Sequence, residues 1–207
     1  MKMKFLFGIT LLLCFSCGNK EAVLLPKSDR TIVKEVLDLS PIYIFFRVKG
    51  KDTLAEVNRK NSIITTNWIL NIDKRLPLRL VIPEVMKQQQ RKREEKEHRN
   101  ELAQNYYSYA DSIGKNLAFI AFTNVYYKIE KPKNGIVVFF AKDGKIKIND
   151  EWVSRDDFKK QISSFNGKPN EISYCFDKNS SYGSYVQNKV FIDTIIDKKS
   201  PVKEFVY

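Results

Sequence analysis

A nucleophilic or metal-assisted reaction needs a thiol, hydroxyl or carboxylate held beside a base, or several His, Cys and carboxylate ligands at short spacing. The 207 residues of this chain offer little of that kind. The one histidine, His98, lies in the charged run KQQQRKREEKEHRNE, with no ligand set at metal-binding spacing around it. Cys175, flanked by Tyr174 and Phe176, reads as a small buried hydrophobe in a strand rather than a reactive thiol. Asp156 and Asp157 follow Ser154, and the first turn of a helix already accounts for such acids. The expectation is therefore no catalytic, cofactor or metal site, and no enzyme; an enzyme with an unrecognised site is the lesser alternative.

The remaining cysteines, Cys14 and Cys17, sit in a leader. Met1-Lys2-Met3-Lys4 is basic, Phe5 to Phe15 is dominated by apolar residues, and Ser16-Cys17-Gly18 follows at once. That apolar stretch is too short to cross a hydrocarbon core of about 30 Å as a helix, so residues 1–16 read as a signal peptide. The ending resembles a bacterial lipobox, with Cys17 as the lipidated residue that becomes the mature N-terminus. Cys14 stands where that motif usually has Leu, and Leu13 is adjacent. An ordinary secretory signal cut nearby is the alternative. Acyl chains would tether the protein to a membrane, each buried methylene contributing about 0.8 kcal/mol. Residues 17–40 then read as a lipid-anchored tether, polar and mixed, with Pro26 breaking any helix. Thr31 to Leu39 is compatible with an extra strand or one short helix.

Composition narrows the class further. With 43% hydrophobic and 13% aromatic residues the chain can bury a core, so it is not globally disordered. Its net charge is +12, and still +10 without residues 1–16, which invites an anionic partner. The basic residues are spread along the chain among acids, however, and no nucleic-acid motif accompanies them, so nucleic acid is not the expected partner.

The elements that organise the chain lie from Gly135 to Phe165. Ile136 to Phe140 is an apolar, β-branched and aromatic run, Asp143-Gly144 supplies turn chemistry, and Ile146 and Ile148 share one face of a second strand. Ser154 caps a helix in which Phe158 and Ile162 face the core together. Set against the first half at an offset of 94 residues, Ile42, Ile44, Phe45 and Phe46 fall on Ile136, Val138, Phe139 and Phe140. At the same offset Ile64 and Trp68 fall on the helix-face pair, and Leu78, Leu80 and Ile82 on a third strand, Ile172, Tyr174 and Phe176. This reads as a duplication: residues 41–129 form one repeat and 135–207 a second, joined by the breaker-rich Lys131-Pro132-Lys133-Asn134-Gly135. Each copy is expected to be β-β-α-β-α-β, a small sheet with helices on one face. In the first copy the last helix spans about Glu84 to Ile113 and Leu117 to Ile129 closes the sheet. In the second, Ser181 to Ile196 is the last helix and Pro201 to Tyr207 the closing strand. The charged run KQQQRKREEKEHRNE in that long helix of the first copy reads as a solvated projection or a docking surface for an acidic partner.

The order of features in 135–207 resembles the periplasmic domain of the ExbD/TolR family of biopolymer transport proteins. The features are the apolar strand Ile136 to Phe140, the Asp143-Gly144 turn, a strand ending at Asn149, and Val153-Ser154 opening a helix. After the third strand come Asp177-Lys178 and then Tyr182-Gly183, which opens the final helix. The resemblance implies an α+β domain that self-associates and a place in energised envelope machinery. Family members carry a transmembrane helix with an Asp for proton conduction, whereas residues 1–17 hold no Asp or Glu. Proton coupling is therefore not carried over. The expectation is a periplasm-facing lipoprotein in the envelope of a Gram-negative bacterium, on the inner or outer membrane. It would make contact with envelope proteins or peptidoglycan, as a monomer whose two domains pair or as a homodimer. The alternative is a divergent membrane-anchored ExbD-type subunit that keeps its leader as the anchor. Exposed sheet edges could accept a peptide strand, with Gly135 to Ala141 or a closing strand as candidates.

Overall fold

The computed structural model describes residues 22–95, 100–164, 172–195 and 202–207. The leader over residues 1–16, Cys17, His98 and Phe165 lie outside the described residues. Those described form an α+β structure with three helices and two mixed sheets of six strands each.

In the first sheet β2 (Leu39–Lys49) makes a hairpin with β3 (Asp52–Asn58) and runs parallel to β4 (Asn67–Ile72). β4 in turn runs parallel to β5 (Asn105–Asp111). β6 (Asn116–Ala121) folds back on β5, and the short β1 (Lys27–Ser28) pairs with the end of β5. In the second sheet β8 (Ile136–Phe140) makes a hairpin with β9 (Ile146–Ile148) and runs parallel to β11 (Ile172–Phe176), itself parallel to β12 (Val202–Val206). β10 (Glu151–Val153) extends one side, and β7 (Val125–Lys128) lies parallel to β12 on the other. Helices α1 (Leu78–Glu94), α2 (Arg155–Ser164) and α3 (Tyr182–Asp193) precede β5, β11 and β12. The orders β3-β2-β4-β5 and β9-β8-β11-β12 agree in sequence and in direction.

Local chemistry explains the second half well. Gly144 turns the β8–β9 hairpin at φ 86°, where a Cβ would be strained. Ser154 Oγ accepts the Asp157 backbone N–H at 3.1 Å, capping α2. Phe158 and Ile162 are fully buried, and Phe158 meets Phe140 edge-on. Asn149 and Asp150 both adopt positive φ, a two-residue turn that adds β10, a strand the alternation of 145–149 does not announce.

The first half departs from the sequence expectation in four places. Leu78 and Ile82 lie in α1, not in a strand; Leu78, Val81, Ile82 and Val85 make a fully buried helical stripe, while Leu80 is only half-buried. The third strand is β4, so Trp68 is a strand residue and Ile64 lies in a connection without a helix. The long helix ends at Glu94, well short of Ile113, and Asn105–Asp111 is the strand β5. The expected closing strand over 117–129 is two strands in different sheets, because β7 leaves the first sheet to join β12. The pairing registers align Ile42 with Val138 and Ile44 with Phe140, two residues away from the expected offset but on the same face.

The segment expected as a tether is docked from Leu24 onward. Asp73, buried beside α1, accepts hydrogen bonds from Leu24 N–H and from the Arg75 backbone and guanidinium. Burial raises the Asp73 carboxyl, but these donors outweigh it and hold the group below its usual range. Further along, Val33 pairs with Phe119, and Val36 packs on Ile69 and Phe119 over the outer face of the first sheet.

The two halves share one core. A single buried cluster joins Ile42, Trp68 and Val85 to Phe140, Phe158, Tyr185 and Val206. At its centre the connection before α1 crosses the connection before α3. Leu78 N–H bonds to Ser180 O and Tyr182 N–H to Leu76 O, while Arg79 N–H bonds to Lys178 O and Gly183 N–H to Lys74 O. Shifting residue numbers by 104 turns each bond of a pair into the other, with Pro77 facing Ser181 on the pseudo-twofold axis. Asp73 and Asp177 obey the same shift, each accepting the N–H two residues on.

Candidate functional site

Two arrangements stand out, one inside and one outside. The inner one is a chain of polar groups spanning both halves. Glu204 of β12 is buried, and its carboxylate is met by Lys189 Nζ of α3 at 2.5 Å and by Tyr185 Oη at 2.6 Å. Tyr127 of β7 lies 3.0 Å from Tyr185 Oη, and Tyr107 of β5 lies 2.7 Å from Tyr127 Oη. A phenol has one proton to donate. Since Tyr185 gives its proton to Glu204, Tyr127 donates to Tyr185 and Tyr107 to Tyr127. The hydroxyls thus point one way, toward the carboxylate that Lys189 neutralises. Burial pushes all three phenols well above their usual range, and the Glu204 charge raises them further. Tyr107 also stacks on Phe122 at 3.9 Å between ring centroids. This assembly braces β5, β7, α3 and β12 against one another.

The outer arrangement is the face of the second sheet turned away from the shared core. Residues paired directly across strands share a face, and one row runs Trp152, Lys147, Phe139, Cys175, Phe205, Lys128 across all six strands. The connection from β7 to β8 returns over this face. Lys131 and Pro132 line a cavity of about 530 Å³ with Val137, Phe139, Lys147, Asn149, Asp150, Trp152 and Tyr207. Lys147 pairs with Asp150 at 2.6 Å, and that bond with the Lys147 charge holds the Asp150 carboxyl low. None of the inner polar chain lines this cavity.

The residues singled out in the sequence are dispersed. Cys175 lies in mid-row on the outer face, fully buried, its thiol pushed up to about 12 by burial, which keeps it protonated and unreactive. Asp156 and Asp157 occupy the first turn of α2. Gly135 to Ala141 cannot serve as an open edge, because β8 is paired on both sides, and so is the closing strand β12; the edges of this sheet are β10 and β7. Lys92, near the end of α1, extends over the Trp68 ring toward three oxygens, of Thr66, Gln104 and Asn105, and burial lowers its amine to about 8. Among the described residues no group of His, Cys and carboxylates could hold a metal ion.

The inner chain was missed in the sequence because its members lie far apart. Its two sequence signals are a lysine on the apolar face of a helix, Lys189 four residues after Tyr185, and a glutamate inside the strand VKEFV. No protein-family model, curated protein or solved structure matches the chain.

Proposed function

We propose that this chain is a lipid-anchored, non-enzymatic interaction module of the bacterial cell envelope. In this proposal it carries two copies of an α+β unit resembling the periplasmic domain of ExbD/TolR biopolymer transport subunits. The main support is the joint between the halves, where reciprocal backbone bonds repeat at a shift of 104 residues. A self-associating domain duplicated within one chain would place its two copies about such an axis. The common strand order β3-β2-β4-β5 and β9-β8-β11-β12 agrees with a duplicated unit. The contact reading is supported by where the polar groups lie: the chain ending on Glu204 is sealed in the core, and the outer face of the second sheet offers Trp152 with Lys145 and Lys147 beside it. The proton-conducting role of the resembled family is left out, since residues 1–17 lack an acid. No described helix is long and apolar enough to cross a membrane.

The test of the anchor is metabolic labelling with radioactive palmitate. The wild-type chain should incorporate label and Cys17→Ala should not. Label that persists in the variant rules out Cys17 as the acceptor.

A further inference from the structure

We propose that the outer face of the second sheet is the side this protein lays against an anionic lipid bilayer. The proposal deepens the anchored reading, yet this face would recognise anionic lipid whether or not Cys17 carries acyl chains.

Val33 and Val36 pack on Ile69 and Phe119 over part of the outer face of the first sheet, whose β2–β3 end keeps Tyr43 and Leu54 partly exposed. On the outer face of the second sheet, Trp152 is 58% exposed and Tyr126 45%. These are large amphipathic side chains, and each aromatic ring is paired with cations. Lys145 and Lys147 each place Nζ 5.8 Å from the Trp152 ring, Lys131 lies 5.4 Å from Tyr207, and the Arg93 guanidinium is 4.4 Å from Tyr126. Such side chains bury their stems along apolar surface and hold the charge in the polar layer. Trp and Tyr favour the same depth, where a ring meets headgroups.

The charge of the face has a sign. Asp143 and Asp150 pair with Lys145 and Lys147, while Glu130 of the neighbouring connection and the exposed Glu151 beside Trp152 add two acids. Arg93, Lys128 and Lys131 add positive charge beyond those acids. An anionic membrane surface attracts lysine and arginine within a Debye length, and a basic patch is the usual second signal that makes a lipid anchor stable. The cavity sets Lys131 and Lys147, with Asp150, beside Val137, Phe139 and Trp152, so cationic groups and apolar side chains border one space.

The test uses the full chain with two kinds of vesicle, phosphatidylcholine alone and phosphatidylcholine mixed with phosphatidylglycerol, both containing brominated acyl chains. Trp68 is buried and supplies a constant background, which Trp152→Phe measures separately. In Cys17→Ala, which has no acyl chain to hold it on either vesicle, brominated lipid should quench Trp152 in the anionic vesicles only, and added salt should relieve the quenching. Lys128→Glu with Lys131→Glu, both at exposed positions, should weaken binding roughly tenfold or more. Equal quenching in both vesicles, no quenching in either, or an unaffected double variant would overturn the proposal. Cys17→Ala should keep the quenching. Loss of the palmitate label with quenching retained counts against nothing claimed for this face, whereas a labelled wild type whose Trp152 stays unquenched refutes the face and leaves the anchor standing.

Discussion

Lys189 and Glu204 form an ion pair with almost no access to water, at 0% and 3% side-chain exposure. Removing one member of such a pair strands the other charge in the core, at a cost of about 3–5 kcal/mol. Lys189→Met should therefore lower the urea midpoint sharply, because Tyr185 alone cannot replace an ammonium beside the Glu204 carboxylate. Combining it with Glu204→Gln removes the stranded charge, and most of the lost stability should return. Losses that simply add in the double variant would show that the two groups do not act as a pair. The neighbouring Tyr182 Oη has no hydrogen-bond partner among the described residues despite its burial, and nothing in the structure accounts for it.

At the scale of an element, α3 depends on its first turn. Ser181 accepts the Ser184 N–H at 3.1 Å and also faces Pro77 at the joint. Ser181→Ala should cost about 1 kcal/mol in chemical denaturation, and Ser181→Asn considerably less, since Asn can also cap. Equal losses would place the effect in the crossing rather than the cap. By contrast α1 starts after Pro77 with no side-chain cap. Its start is hard to read in the sequence for that reason. LRLVI alternates well enough to suit a strand, and only burial of Val81 and Val85 together with Leu78 and Ile82 selects the helix. The second half was legible because its signals are local: Gly144 at a positive-φ turn, Ser154 at a cap, Phe158 and Ile162 one helical turn apart.

For the whole molecule, the shared core and the crossing of β7 into the second sheet mean that neither half closes its own structure. Heat or urea should unfold the chain in one transition, with tryptophan fluorescence and far-ultraviolet dichroism coincident. Two separated transitions, or a sedimenting dimer whose halves fold independently, would contradict pairing within the chain. Gly183 shows how close the halves approach: a Cβ there would sit 3.2 Å from Lys74 Cβ and 3.4 Å from Lys74 O. That glycine serves the crossing, and no feature of its own helix would have revealed the need for it.

By itself the sequence determined the α+β class, the β8–β9 hairpin, the capped α2, the buried Cys175 and the absence of acids before residue 18. All of these rest on neighbours within a few residues, where turn chemistry and side-chain period act directly. Only long-range packing selects the docking of the segment from Leu24 to Asp38 and the move of β7 to the other sheet. It also brings Tyr107, Tyr127 and Tyr185 together on Glu204. Those outcomes depend on which distant groups satisfy one another once water is excluded, and no spacing along the chain encodes that choice.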